Sequence, residues 1–164
     1  MPQPQNMSAM TQRRTSSAPS MAGAPEAMGP RKRRDFFVYR AFVAGPIAAG
    51  GTAADQVQIQ ADSAFEIQKL TMFADIADAA QTEESRVLPL VTVQITDTGT
   101  GRQLFAEAVS IPALFGDGRF PFILPTTKLL SPSSVLSFDF ANYSAATPYS
   151  NLQLLLIGTK IFDY

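Results

Sequence analysis

Residues 88–105 read LPLVTVQITDTGTGRQLF, and this stretch decides the fold class. Val91, Val93 and Ile95 alternate with Thr92, Gln94 and Thr96, a period of two that sets β-branched apolar side chains on one strand face and polar ones on the other. Asp97-Thr98-Gly99-Thr100-Gly101 forms a turn, and Gln103 to Val109 returns as the hairpin partner. A glycine-rich phosphate loop opens a helix and presents a Lys-Ser/Thr pair, whereas here a strand follows the glycines, so the segment reads as a hairpin.

The same alternation extends in both directions. Upstream, Val57, Ile59 and Ala61 face inward against Gln58, Gln60 and Asp62. Phe65 and Ile67 then share one parity while Leu70 and Met72 share the other, and this phase flip at Gln68-Lys69 predicts a β-bulge. A helix over 64–79 competes, since Phe65, Lys69, Met72, Phe73 and Ile76 fit a 3.6 period; the preceding Asp62-Ser63 break and the β-branched residues favour a strand. Residues 75–86 read as a polar loop. Phe36, Val38 and Arg40 alternate with Phe37, Tyr39 and Ala41, two largely apolar faces that suit a strand covered on both sides or lying along an interface.

Downstream, Ile111-Pro112, Gly116-Asp117-Gly118, Pro121 and Pro125 leave a short strand near Phe120–Leu124. Asp117 lacks the alternating acids of an EF-hand loop. Leu136, Phe138 and Phe140 alternate in a further strand, and Leu152 to Phe162 is apolar on both parities, which suits a central strand or a subunit contact. Eight strands with proline- and glycine-rich connections predict an all-β fold, an eight-stranded jelly-roll-like sandwich carrying an extended basic N-terminal arm. An immunoglobulin-like sandwich ranks second, because the Trp and the Cys pair usual in antibody domains are absent.

That arm is residues 1–34, rich in Met, Pro, Ser, Ala and Gln and without apolar periodicity. Arg13, Arg14, Arg31, Lys32, Arg33 and Arg34 stand against Glu26 alone, a charge of +5. Residues 35–164, the sandwich domain, hold 7 Lys/Arg and 13 Asp/Glu, a charge of −6. A basic arm on an acidic body is the pattern of an attachment device. A hydrophobic fraction of 46% with 16% charged residues indicates a folded chain of limited charged surface, as in a subunit lying against neighbours.

The chain contains neither histidine nor cysteine. Ser-His-Asp and Cys-His catalysis and most zinc sites are thereby excluded, and carboxylate-only chemistry is the remaining enzymatic class. The acids are scattered, and Glu83-Glu84 sits in a polar loop, so no catalytic, metal or cofactor site is expected and the protein reads as no enzyme. No apolar window reaches the length of a membrane span, and the N-terminus lacks the apolar stretch of a signal peptide, so no membrane partner and synthesis in the cytoplasm are expected.

Residues 57–75 (VQIQADSAFEIQKLTMFAD), 88–105, 121–129 (PFILPTTKL) and 155–162 (LLIGTKIF) together resemble small jelly-roll structural proteins of tailed bacteriophages, namely capsid cement or decoration proteins and neck or collar accessories. The resemblance is one of overall texture across most of residues 35–164, with no short diagnostic motif. It implies a virion structural protein on the capsid exterior, bound to a major capsid protein and to copies of itself as a homo-oligomer. The expected partner-binding residues are Arg13, Arg14, Arg31, Lys32, Arg33, Arg34, Phe36, Phe37 and Tyr39, with the arm as tether. Binding of nucleic acid by the arm ranks lower, because the body is acidic and no aromatic residues interleave with the arginines for base stacking. A carbohydrate-binding role ranks lower still, because Trp is absent and most Phe residues occupy strand positions.

Overall fold

Alternating side chains need a partner layer for their apolar face, and a computed structural model of the chain supplies it as a second sheet. It describes residues 32–78 and 86–162. In chain order the elements are β1 (Arg33–Val43), β2 (Thr52–Gln58), β3 (Ala64–Ile76), β4 (Val91–Asp97), β5 (Arg102–Gln103), β6 (Val109–Ser110), a single helical turn α1 (Ile111–Leu114), β7 (Phe122–Leu130), β8 (Val135–Asn142) and β9 (Tyr149–Phe162). The first sheet has the order β1-β9-β3-β7 and the second β2-β8-β4-β5, with β6 also on β4. Every ladder is antiparallel, and the pairs β2–β8, β3–β7 and β4–β5 nest around the turn at 98–101. The protein is therefore all-β, built from two antiparallel sheets.

The inner faces share one apolar core. From the first sheet come Tyr39, Phe65, Ile67, Leu70, Leu154 and Leu156, and from the second Val91, Val93, Ile95, Leu136, Phe138 and Phe140, all buried. Full burial of such side chains contributes about 1.5–3 kcal/mol each relative to exposure.

The bulge foreseen at Gln68 is present: the register of β3 shifts between Ile67 and Lys69 against both β7 and β9. This strand rules out the helix considered for 64–79, because its apolar residues split between two sheet faces. Room for the bulge comes from Gly158, where an added Cβ would lie 2.0 Å from the Glu66 carbonyl oxygen.

Several boundaries differ from expectation. The second strand occupies Thr52–Gln58 and not 57–62, because its backbone pairs with β8 even where Ala53 and Ala54 offer little β propensity. Ala61 is consequently exposed in the turn that follows. Leu88 and Leu90 precede β4 and are 67% and 45% exposed. The expected return strand 103–109 is broken into β5 and β6, and β7 extends past Pro125, which an edge strand tolerates. β3 continues to Ile76 where a loop was expected from 75; residues 79–85, with Glu83 and Glu84, lie outside the described residues.

The turn at 97–101 closes on itself. Asp97 accepts hydrogen bonds from the Gly99 N–H (3.0 Å) and the Thr100 hydroxyl (2.9 Å), and Gly101 takes φ +65°. A carboxylate facing these donors leaves no anion cradle. At the other end of the sandwich, buried Asn142 donates through Nδ2 to the carbonyls of Ile47, Ala48 and Thr147 and accepts from the Ser144 N–H, fastening two loops together.

Candidate docking face

The two outer faces are unlike. Across the second sheet the register aligns Thr52, Ala141 and Thr92, then Ala54, Asp139 and Gln94, then Gln56, Ser137 and Thr96: small or polar throughout. Across the first sheet it aligns Phe36, Thr159, Glu66 and Leu129, then Val38, Ile157, Lys69 and Ile123, then Arg40, Leu155 and Thr71. Phe36, Ile123 and Leu129 are 76%, 66% and 60% exposed, and Leu155 and Ile157 are half-buried. Exposed large apolar side chains gathered on one face make it the candidate for contact with other molecules.

Several of the charged groups on this face are anchored. Arg34 donates to Glu66 at 2.9 Å, and the Thr127 hydroxyl donates to the other oxygen of the same carboxylate at 2.9 Å, so Glu66 ties β1 to β3 and β7. The Thr127 hydrogen bond foremost holds the Glu66 carboxyl below its usual range; burial, the next largest effect, opposes it, and the charge and hydrogen bond of Arg34 add to the lowering. Arg40 lies over the Phe42 ring at 4.6 Å and Arg86 over Phe73 at 4.9 Å, cation–π contacts that keep guanidinium groups on apolar surface.

The residues expected to bind partners separate into three groups. Arg13, Arg14 and Arg31 lie outside the described residues. Lys32 is exposed, Arg33 pairs with Asp35 at 2.7 Å and stacks over Phe162, and Arg34 and Phe36 belong to the outer face. Both arginines at the expected arm boundary thus form the start of β1, opposite Phe162 and Ile161. Phe37 and Tyr39 turn the other way: Tyr39 is 7% exposed, its ring meets Phe65 edge-on at 4.8 Å, and its hydroxyl accepts from the Gln60 N–H. Phe37 packs on Tyr39 and under the buried Lys160 ammonium, 4.3 Å from the ring centroid. Those two side chains serve the core, since successive residues of one strand point to opposite faces and Phe37 and Tyr39 share the parity opposite to Phe36.

No protein-family model matches this chain, and no curated protein matches its sequence. The site therefore stands on its geometry.

At one end of the face lies a cleft that sequence reading missed. Because β7 begins opposite Leu70, the edge of β3 beyond it passes to other segments. Gly116 accepts from the Met72 N–H (2.8 Å), and the Val87 N–H donates to Ala74 (3.1 Å). Between these two attachments is a cleft of about 750 Å³ lined by Thr71, Phe73, Arg86, Leu88, Arg119 and Leu155 among others. Asp117, on its rim, accepts the N–H groups of Arg119 (3.0 Å) and Phe120 (2.7 Å) through one oxygen, which fixes the loop. Among the described residues no group of three or more acids assembles a metal site, and no helix is long and apolar enough to cross a membrane.

Proposed function

We propose that this protein is a non-enzymatic virion structural protein, a jelly roll that cements or decorates a bacteriophage capsid by bridging major capsid protein subunits and copies of itself, with residues 1–34 as tether. The observation that carries this reading is the contrast between an apolar, cationic outer face on the first sheet and a small, polar one on the second. One face is suited to lie against a neighbour and the other to face water. Nested pairing with alternate strands in opposite sheets is the order expected of a jelly roll, a fold common in capsid domains. The carboxylates support a structural role: Asp55 accepts the Phe42 N–H, Asp97 and Asp117 close turns, and Glu66 and Asp62 face cations.

The test is occupancy on phage heads. Full-length protein is compared with a chain lacking residues 1–32, which leaves β1 and the Arg34–Glu66 pair intact, and with a Phe36→Ser/Ile157→Ser variant, in buffer of physiological salt. Loss of occupancy in both supports a tether and an apolar footprint acting together, since linked weak contacts strengthen one another. Unchanged occupancy of both variants, or failure of the full chain to bind heads, defeats the proposal. Copy number in purified particles separates a cement, present in hundreds, from a neck or collar ring. Salt-sensitive DNA binding that disappears with the arm, without head binding, would favour the nucleic-acid reading.

A further inference from the structure

We infer that the cleft between residues 86–88 and 117–119 binds an acidic peptide segment of a protein neighbour, its carboxylate taken by Arg86 and Arg119 and its apolar side chain laid on Leu155 and Phe73. A protein as the source of that segment rests on the docking-face reading above; the acidic and apolar chemistry of the ligand comes from the cleft itself.

Three observations converge on that chemistry. First, the ion pairs formed among the described residues use Arg33, Arg34 and Lys160, so neither arginine of the cleft is held by one of these carboxylates. Asp117, the one acid in the lining, turns an oxygen to its own loop, and the lining keeps a net charge of +1. Second, Thr71 is 5% exposed and its hydroxyl is the one buried side-chain polar atom without a hydrogen-bond partner among the described residues. Such an orphan calls for an explanation, and it lies in the lining of this cleft. Third, apart from Thr71 and Asp117 the side chains of the lining that are not cationic are apolar, with Phe73, Val87 and Leu155 in the wall and Leu88 67% exposed at the rim. A small hydrated anion would gain nothing from that surface, whereas a peptide offers a carboxylate and an apolar side chain together.

The walls are also set in place beforehand. A Cβ on Gly116 would lie 1.8 Å from the Phe120 carbonyl oxygen and 2.7 Å from the Phe122 nitrogen, so the 116–122 segment doubles back tightly on itself. Binding to a preformed wall avoids the cost of ordering it.

The experiment uses isotope-labelled full chain and an N-acetylated, C-amidated hexapeptide of alternating leucine and glutamate. Amide shifts confined to residues 71–74, 86–88 and 116–119 are expected. Affinity should fall at least fivefold in Arg86→Gln and in Arg119→Gln. It should also fall in Thr71→Val, while the melting temperature of that variant holds or rises, because a methyl group replaces an unpaired hydroxyl. This pairing separates a ligand-binding role from a structural one. Equal binding of the leucine–glutamine peptide, a match between inorganic phosphate and the peptide, or shifts elsewhere on the protein would overturn the inference. Binding that emerges only in Glu83→Gln/Glu84→Gln would overturn it too, by assigning the cleft to the chain's own acids. Head occupancy does not enter this titration. A chain that binds the peptide and ignores heads therefore loses the capsid reading and keeps the cleft, and the converse result does the opposite.

Discussion

Replacing Gly158 with alanine adds one methyl group at the crossing of three strands, β1, β9 and β3. Two effects oppose each other. Alanine narrows the unfolded ensemble and suits a strand better than glycine, which favours the variant by about 0.4–1 kcal/mol. Against this, the new Cβ would lie 2.0 Å from the Glu66 oxygen, 2.9 Å from its carbonyl carbon and 3.1 Å from the Ile67 Cα. Ordinary contact begins at 3.4 Å, so the strands must part by about 1.4 Å. All three atoms are backbone, and no rotamer change relieves them. Glu66 is held from the far side by pairing with Leu129, and Gly158 by pairing with Phe37. Overpacking in cores costs about 1–3 kcal/mol, and a backbone collision belongs at the upper end. The steric effect wins, leaving a net loss of about 2–3 kcal/mol.

For a domain of this size each kcal/mol corresponds to roughly 4 °C, so the expected fall in melting temperature is about 8–12 °C. Thermal and urea unfolding followed by circular dichroism measure it. Gly45→Ala is the control, because a Cβ there meets nothing within 4 Å and the backbone is not left-handed, and it should be neutral or slightly stabilising. If Gly158→Ala were as stable as the parent, the bulge would not depend on this close approach and the packing argument would fail.

Asn142→Ala should lower stability by about 2–4 kcal/mol, because the carbonyls of Ile47, Ala48 and Thr147 and the Ser144 N–H lose their partner in a site where Asn142 is 2% exposed; an unchanged urea midpoint would refute it. Glu66→Gln tests the clamp on the outer face of the first sheet through pH. Its carboxyl is held low in the folded state, so its stabilisation is present above the unfolded value near 4.5 and is lost as pH falls through the folded value. The gap in melting temperature between parent and variant should therefore be small at pH 7, within the ~1 kcal/mol of exposed pairs, and should close as pH falls below the folded value; a gap that widens in acid contradicts the assignment.

Where side chains alternate cleanly, sequence and structure agree. β4, β8 and the apolar double parity of β9 were legible because each residue type reports its face directly. So was the bulge, since Phe65 and Ile67 cannot share a face with Leu70 and Met72 without an extra residue. Strand β2 was not legible at Thr52–Asp55, where pairing with β8 overrides weak propensity. On β1 both parities are largely apolar, so the sequence does not tell the face of Phe36 from that of Phe37 and Tyr39. The cleft left no local signal at all: Thr71, Arg86, Arg119 and Leu155 are far apart in the chain and meet only because β3's edge is handed from β7 to Gly116 and then to Val87.

The bulge and the cleft are linked by the same geometry. Had β3 run without Gln68 as an extra residue, the parity set by Phe65 and Ile67 would continue to Lys69, Thr71 and Phe73, placing a cation and a hydroxyl in the core and expelling Leu70 and Met72. The bulge reverses that parity, so Leu70 and Met72 join the core while Lys69, Thr71 and Phe73 reach the outer face. Its space is granted by the absence of a side chain at Gly158, on a neighbouring strand. A stability defect in Gly158→Ala accompanied by loss of peptide binding, with Gly45→Ala keeping both, is therefore the expected joint signature. The outer face and the core are two consequences of one inserted residue, and neither can be altered at that point without the other.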